Sequence, residues 1–315
     1  SHTSFPVGKV EFLNMYPMTF REFLIADNCS NLVDYMDSIS NIENIPDIFF
    51  NQLEEKLKAY FIIGGMPEAV KAWVNEKDME LVNTIQDNIL KAYESDFAKH
   101  TNNIEANKIS LIWNNIPSQL AKENKKFLYQ TIKDGARARE YESALNWLND
   151  SNLIYKIYNI TKPDFPIKAY NDLSAFKIYI NDVGLLRKMA NLDSRIVIEG
   201  NKLFEEFKGA FTENYVLNML TATLDNVPNY YTFDRHEIDF IIQYKNEIIP
   251  IEVKSSENIN NTSLKIYNDR YNPKIRLRFS MKNLQKDGNL INIPLFMIEY
   301  LSMGTEIFDN LSIGT

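Results

Sequence analysis

The chain has 315 residues, 45% hydrophobic and 24% charged, with a formal net charge of −8. That is the composition of an ordinary globular protein, long enough for two or three cores. No run nears the roughly 18 uninterrupted apolar residues of a membrane span, and no signal peptide opens the chain. The lone Cys29 excludes an internal disulfide and a cysteine zinc site, so the expected compartment is cytoplasmic. His2, His100 and His236 are too scattered for a histidine-ligated metal. With an acidic balance, nucleic-acid contacts must come from local patches.

Residues 1–103 predict helices. Phe50, Leu53, Leu57 and Tyr60 recur at spacings of three and four, one apolar stripe of a helix over 47–62. A second stripe runs through Val82, Ile85, Ile89 and Tyr93. Between them Gly64-Gly65-Met66-Pro67 breaks the helix, with Pro67 suited to the first turn of the next. Over 104–190 the rhythm changes. Ile109 and Ile112 mark one short helix, Phe127, Leu128 and Ile132 a second, and Tyr141, Ala144, Leu145 and Leu148 a third. Residues 153–158 then alternate as a strand, 159–165 form a proline-containing loop, and 167–170 are the expected partner strand. Three short helices and a hairpin are the order of a winged helix. Lys122, Lys125, Lys126, Lys133, Arg137 and Arg139 cluster ahead of its third helix, opposed only by Glu123 and Asp134. They suit phosphate contacts or, equally, the solvated face of a packing module.

The remainder, 191–315, predicts a helix over about 202–223, strands across 230–254 and an apolar strand at 295–300. Strands mixed with helices point to a mixed sheet with flanking helices. The chemistry lies in Glu237-Ile238-Asp239-Phe240-Ile241-Ile242 and Glu247-Ile248-Ile249-Pro250-Ile251-Glu252-Val253-Lys254, with Lys245-Asn246 where a tight turn belongs. A hairpin centred there pairs residues whose numbers sum to 491, so Asp239 falls opposite Glu252, and Lys254 shares their face. Ile238, Phe240 and Ile242 against Ile249, Ile251 and Val253 form the core face.

Two opposed carboxylates repel unless something neutralises them. Mg²⁺, which takes carboxylate and phosphate oxygens, is the expected answer, with Asp239 and Glu252 as metal ligands. Lys254 would orient a nucleophilic water or stabilise developing charge, and Glu213 on the preceding helix could complete the site. Together Glu213, Asp239, Glu252 and Lys254 form the PD-(D/E)xK pattern of metal-dependent nucleases. A surface ion-pair ladder is the alternative, and Pro250 hints at an edge or bulge. Downstream, Lys274, Arg276 and Arg278 lie in a basic stretch with interleaved tyrosines, either a nucleic-acid surface or a solvated strand edge with one wet face.

Ser4-Phe5-Pro6-Val7-Gly8-Lys9-Val10 and Met18-Thr19-Phe20-Arg21-Glu22-Phe23-Leu24 resemble the stretch near the end of the nucleotide-binding core in bacterial and archaeal AAA-class P-loop ATPases. Gly64-Gly65-Met66-Pro67-Glu68-Ala69-Val70 is similar to that family's helical segment, and residues 176–186, 209–216 and 249–255 resemble its C-terminal domain of unknown function. The resemblance implies the end of an ATPase core with a helical lid-like bundle over 1–103, a winged helix with its connector over 104–190, and a restriction-endonuclease-like domain over 191–315. No G-x-x-x-x-G-K-[ST] loop occurs, so no ATP-binding residue is expected here and ATP belongs to a longer parent protein. The expected function is Mg²⁺-dependent phosphodiester hydrolysis with DNA as partner. The alternative is a non-catalytic module recognising DNA or protein. No oligomeric form is expected over another.

Overall fold

A computed structural model describes residues 10–11, 13–122, 126–194, 205–255 and 262–301. The first part is helical, as its periodicities require: α1 Phe20–Ala26, α2 Ser30–Asp37, α3 Asp47–Ile63, α4 Pro67–Glu76 and α5 Met79–His100. Thr19 starts α1 through a reciprocal capping box with Glu22. On α3 the expected stripe is the buried one: Leu53, Leu57 and Tyr60 are buried, and Phe50 meets Phe296 edge-on at 5.2 Å. Pro67 occupies the first turn of α4.

Next come α6 Asn103–Leu120, α7 Ala138–Asp150, β1 Ile154–Ile160, β2 Asn171–Ile180 and α8 Val183–Met189. Two of the three short helices are present. The middle one is reduced to the 3-10 turn Tyr129–Thr131, after which Gly135 takes a positive φ of 76° that a helix cannot continue. The strand expected at 167–170 is also a 3-10 turn, Ile167–Tyr170. Pairing with β1 begins one residue later and runs from Asn171 to Ile180.

The rest comprises α9 Glu205–Leu224, β3 Asn229–Phe233, β4 His236–Tyr244, β5 Glu247–Val253, α10 Thr262–Tyr271, β6 Arg276–Ser280, β7 Gln285–Asp287 and β8 Leu290–Pro294. The apolar stretch expected as a strand at 295–300 is the 3-10 helix Leu295–Leu301, every residue of it buried. An apolar run without alternation fits either state, and the strand there is β8, just before it. The described strands join one eight-stranded mixed sheet in the order β2-β1-β3-β4-β5-β6-β8-β7. β5–β6 and β6–β8 are parallel, while β3–β4 and β4–β5 are antiparallel. One large apolar core runs from Phe20 on α1 to Leu301.

Helix α9 lies inside that core, buried on all sides over 211–220. Its polar side chains find backbone partners. Asn214 accepts the Ile180 N–H at 3.0 Å, and Asn214 and Asn218 donate to the Ile180 carbonyl at 3.0 and 2.9 Å. The glycine break after α3 meets the start of α8 in a second buried junction. Asp182 caps α8 by accepting the Leu185 N–H at 2.8 Å and also accepts the Gly65 N–H at 2.6 Å. A Cβ on Gly184 would lie 2.6 Å from the Ile63 carbonyl oxygen, so only glycine permits the approach. Burial pushes the Asp182 carboxyl up to about 6, against the pull of its backbone donors. No helix among the described residues is long and apolar enough to cross a membrane.

Candidate functional site

The pairs from Phe240↔Ile251 to Tyr244↔Glu247 keep the expected register, their numbers summing to 491. The turn also falls as expected, although Lys245 and not Asn246 takes the positive φ, 52°. Pro250 sits one residue before the β5–β6 ladder opens at Ile251.

The other edge of β4 holds a feature the hairpin pattern did not reveal. Asn229 pairs with Ile241 and Tyr231 with Ile238, so Asp239 and Phe240 together oppose Tyr230 in a β-bulge. The bulge corrects the expected face. Ile238 joins Ile241 in the cluster with Leu264 and Tyr267 of α10, while Phe240 and Ile242 pack in the core that contains α9. It also re-aims Asp239, whose Oδ2 accepts the Val253 backbone N–H at 2.7 Å. The carboxylate is thus fixed at the residue between Glu252 and Lys254.

Glu252 is only 4% exposed. Lys254 Nζ lies 2.6 Å from its Oε1, while Oε2 is buried with no hydrogen-bond partner among the described residues. A buried polar atom left so costs about 1–3 kcal/mol, more for a charged group. Lys254 is held by its own N–H, which donates to the Phe279 carbonyl at 2.8 Å.

Arg278 is expected on a wet face, but β6 lies between β5 and β8, and Arg278 is 6% exposed. The parallel register sets it beside Glu252, and its Nε donates to Asn292 Oδ1 at 2.9 Å. Burial lowers its pKa, and Glu252 opposes that shift. Arg276 is half-buried and donates to Asn289 Oδ1 and the Leu264 carbonyl. Lys274 is exposed and pairs with Glu247 at 2.7 Å. Of the earlier basic cluster, Lys133, Arg137 and Arg139 are exposed and Lys126 is half-buried, while Lys125 lies outside the described residues.

Glu213 is buried on α9 and accepts a hydrogen bond from the Tyr179 hydroxyl at 3.1 Å. Tyr179 is held well above the usual phenol range by burial and by the carboxylates of Glu213, Glu237 and Asp239. Beside it the wholly buried Lys177 side chain pairs with Glu237 at 2.5 Å and lies over the Tyr230 ring at 4.7 Å. Sequence reasoning missed Tyr179, Lys177 and Glu237 as members of this neighbourhood. The available signal was a lysine standing inside the otherwise apolar run 175–180.

At the end of β5, Glu252 and Lys254 pair with each other, and Asp239 is tied to the backbone of Val253 between them. Glu213 comes from the α9 side, whereas Glu252, alternating with Ile251 and Val253, turns to the α10 side. Among the described residues no group of three or more His, Cys, Asp or Glu is arranged to hold a metal. A hard cation here would rest on the Asp239 and Glu252 oxygens and take its other ligands from water and substrate.

Residues 54–196 match a domain of unknown function, DUF8612, and residues 208–296 match another, DUF4143. The second is commonly associated with AAA ATPase-like proteins. No curated protein and no solved structure matches the chain.

Proposed function

We propose that this chain carries a Mg²⁺-dependent phosphodiester-hydrolysing site that acts on DNA, as the nuclease-like module of an AAA-class ATPase-like protein. The observation that carries the reading is the orphaned, buried Glu252 Oε2 beside an Asp239 carboxylate pinned to Val253. A carboxylate oxygen left without a donor is what a cation ligand requires.

Bound Mg²⁺ supplies Lewis-acid charge at the phosphate and lowers the pKa of coordinated water. Asp239 and Glu252 hold the oxygens for it. Lys254 sits where its ammonium can orient the attacking water or meet charge developing on the phosphate. Arg278, buried beside Glu252 in the β5–β6 register, adds a second positive charge next to that carboxylate. The order helix, three antiparallel strands, helix and parallel strand, from α9 to β6, supports a restriction-endonuclease-like arrangement. The order α6, turn, α7 and hairpin, with Lys133, Arg137 and Arg139 exposed, supports a winged helix that meets DNA phosphates.

The test is cleavage of plasmid and single-stranded DNA with Mg²⁺ or Mn²⁺, comparing the chain with Asp239→Ala and Lys254→Ala. Activity in the parent that vanishes in both variants is expected. The direct Glu252–Lys254 pair, at 2.6 Å, favours a second reading, a non-catalytic recognition module whose acid is already neutralised. Salt-sensitive DNA binding without cleavage by either metal would select that reading.

A further inference from the structure

The sheet divides the basic stretch after α10 between its two ends. β5 and β6 run parallel, so both begin at one end and finish at the other. Lys274 and Arg276 stand where they begin: Lys274 pairs with Glu247, the first residue of β5, and Arg276 opens β6. Arg278 is buried between strands. Lys254 follows the last residue of β5, at the far end. The stretch reaches that end at Lys282. The Lys254 N–H donates to the Phe279 carbonyl at 2.8 Å, and Lys282 comes three residues later, so its Cα lies at most about 11 Å from that of Phe279.

The backbone of Lys282 is also bound to the face of the sheet that Glu252 occupies. Glu252, Arg278 and Asn292 are register partners across β5, β6 and β8 and so form one row on one face. Ser280, two residues past Arg278, joins that face. The Lys282 N–H donates to Ser280 Oγ at 3.1 Å, and its carbonyl accepts from Asn292 Nδ2 at 3.0 Å. Asn292 also donates to the Asn283 carbonyl at 3.0 Å. Asn283 in turn accepts the Ile45 N–H and donates to the Ile45 carbonyl, each at 2.8 Å. These bonds fix the loop and use nothing of the Lys282 side chain, which is exposed and makes no ion pair among the described residues. Open sheets with parallel strands take their ligands outside the carboxyl ends of those strands. We propose that Lys282 is a phosphate-contacting residue of the site: its ammonium meets the backbone of the DNA strand that approaches Lys254, from a loop pinned by Ser280 and Asn292. The inference rests on the phosphodiesterase reading above and adds a binding residue to it.

The experiment compares the full chain with Lys282→Ala, Lys282→Arg and a control, Lys286→Ala, which removes an exposed lysine on the edge strand β7. Duplex-DNA affinity is followed by fluorescence anisotropy over a series of salt concentrations, with calorimetric titration of Mn²⁺ and thermal unfolding alongside. In Lys282→Ala the slope of log binding constant against log salt should fall by about 1, with Mn²⁺ affinity and Tm unchanged. Lys282→Arg and Lys286→Ala should both keep the parent's slope. An unchanged slope in Lys282→Ala, or an equal fall in Lys286→Ala, would overturn the inference while leaving Mn²⁺ binding and the site reading intact. A lowered Tm in Lys282→Ala would also overturn it, because the side chain would then belong to the packing. Absence of Mn²⁺ binding by the parent chain would remove the site reading, and the phosphate role with it.

Discussion

Replacing Asp182 by Asn should turn a pH-dependent junction into a pH-independent one. Asp182 is 1% exposed, so its shift is scarcely screened by solvent. Its carboxyl rises from 3.8 to about 6 on folding, because burial outweighs the donors from Gly65, Leu185 and Gly184. The folded state therefore binds the proton more tightly than the unfolded chain. Stability from this group is fully present below about pH 4 and is lost as pH rises through about 6. Roughly two units at about 1.4 kcal/mol each give a loss of about 3 kcal/mol. Asn keeps an acceptor for Leu185 but turns an amide donor toward the Gly65 N–H, so at pH 4 the variant should be less stable by about 1–3 kcal/mol. That deficit should shrink or reverse, by about 3 kcal/mol in all, by pH 8. Glu299, pushed up to about 7 mainly by burial, tilts stability the same way, and Asp27 and Asp37, both held low, tilt it oppositely at more acid pH. These groups are common to both proteins and cancel in the difference. Urea unfolding followed by circular dichroism across pH 4–8 measures it. A difference that stays flat, or slopes the other way, would refute burial as the dominant influence on Asp182.

Gly65→Ala places a Cβ on the Met18 carbonyl oxygen and should lower stability by about 1–3 kcal/mol or more, read from Tm; an unchanged Tm would mean the close approach is not held. Tyr179→Phe removes the donor to Glu213 and should cost about 1–3 kcal/mol in the same assay, because the acceptor is buried. Combined alanine substitution of Lys133, Arg137 and Arg139 should reduce the slope of log binding constant against log salt by about 3 for duplex DNA. An unaltered slope would take these residues out of any DNA contact.

The site is legible in the sequence where its contacts are local. The β4–β5 register from Phe240↔Ile251 to Tyr244↔Glu247 follows from a two-residue turn and the alternation of Ile, Phe and Val, but the ladder stops one pair short of the expected Asp239 opposite Glu252. The bulge that re-aims Asp239 could not be read from spacing, since it arises from pairing with β3 on the other side. Arg278 looks like a surface residue from its alternation with Leu277, and only the insertion of β6 between β5 and β8 buries it. Lys177 meets Glu237 sixty residues away, between strands that are not neighbours in the chain. The continuity of the sheet from β2 through β1 to β3 has the same origin: a parallel contact at Asn159↔Tyr230 that no local pattern announces. The misread stretch at 295–300 is an apolar run in which strand and 3-10 turn share one composition, and the one at 167–170, Ile-Lys-Ala-Tyr, is too short to carry a period.

Calorimetric titration of Mn²⁺ into the chain and into Glu252→Gln decides whether the proposed pair of Asp239 and Glu252 holds a divalent cation. One saturable site is expected in the parent chain and none in the variant, with the variant still folded by thermal melt. No binding by the parent, or equal binding by Glu252→Gln, would contradict the proposal.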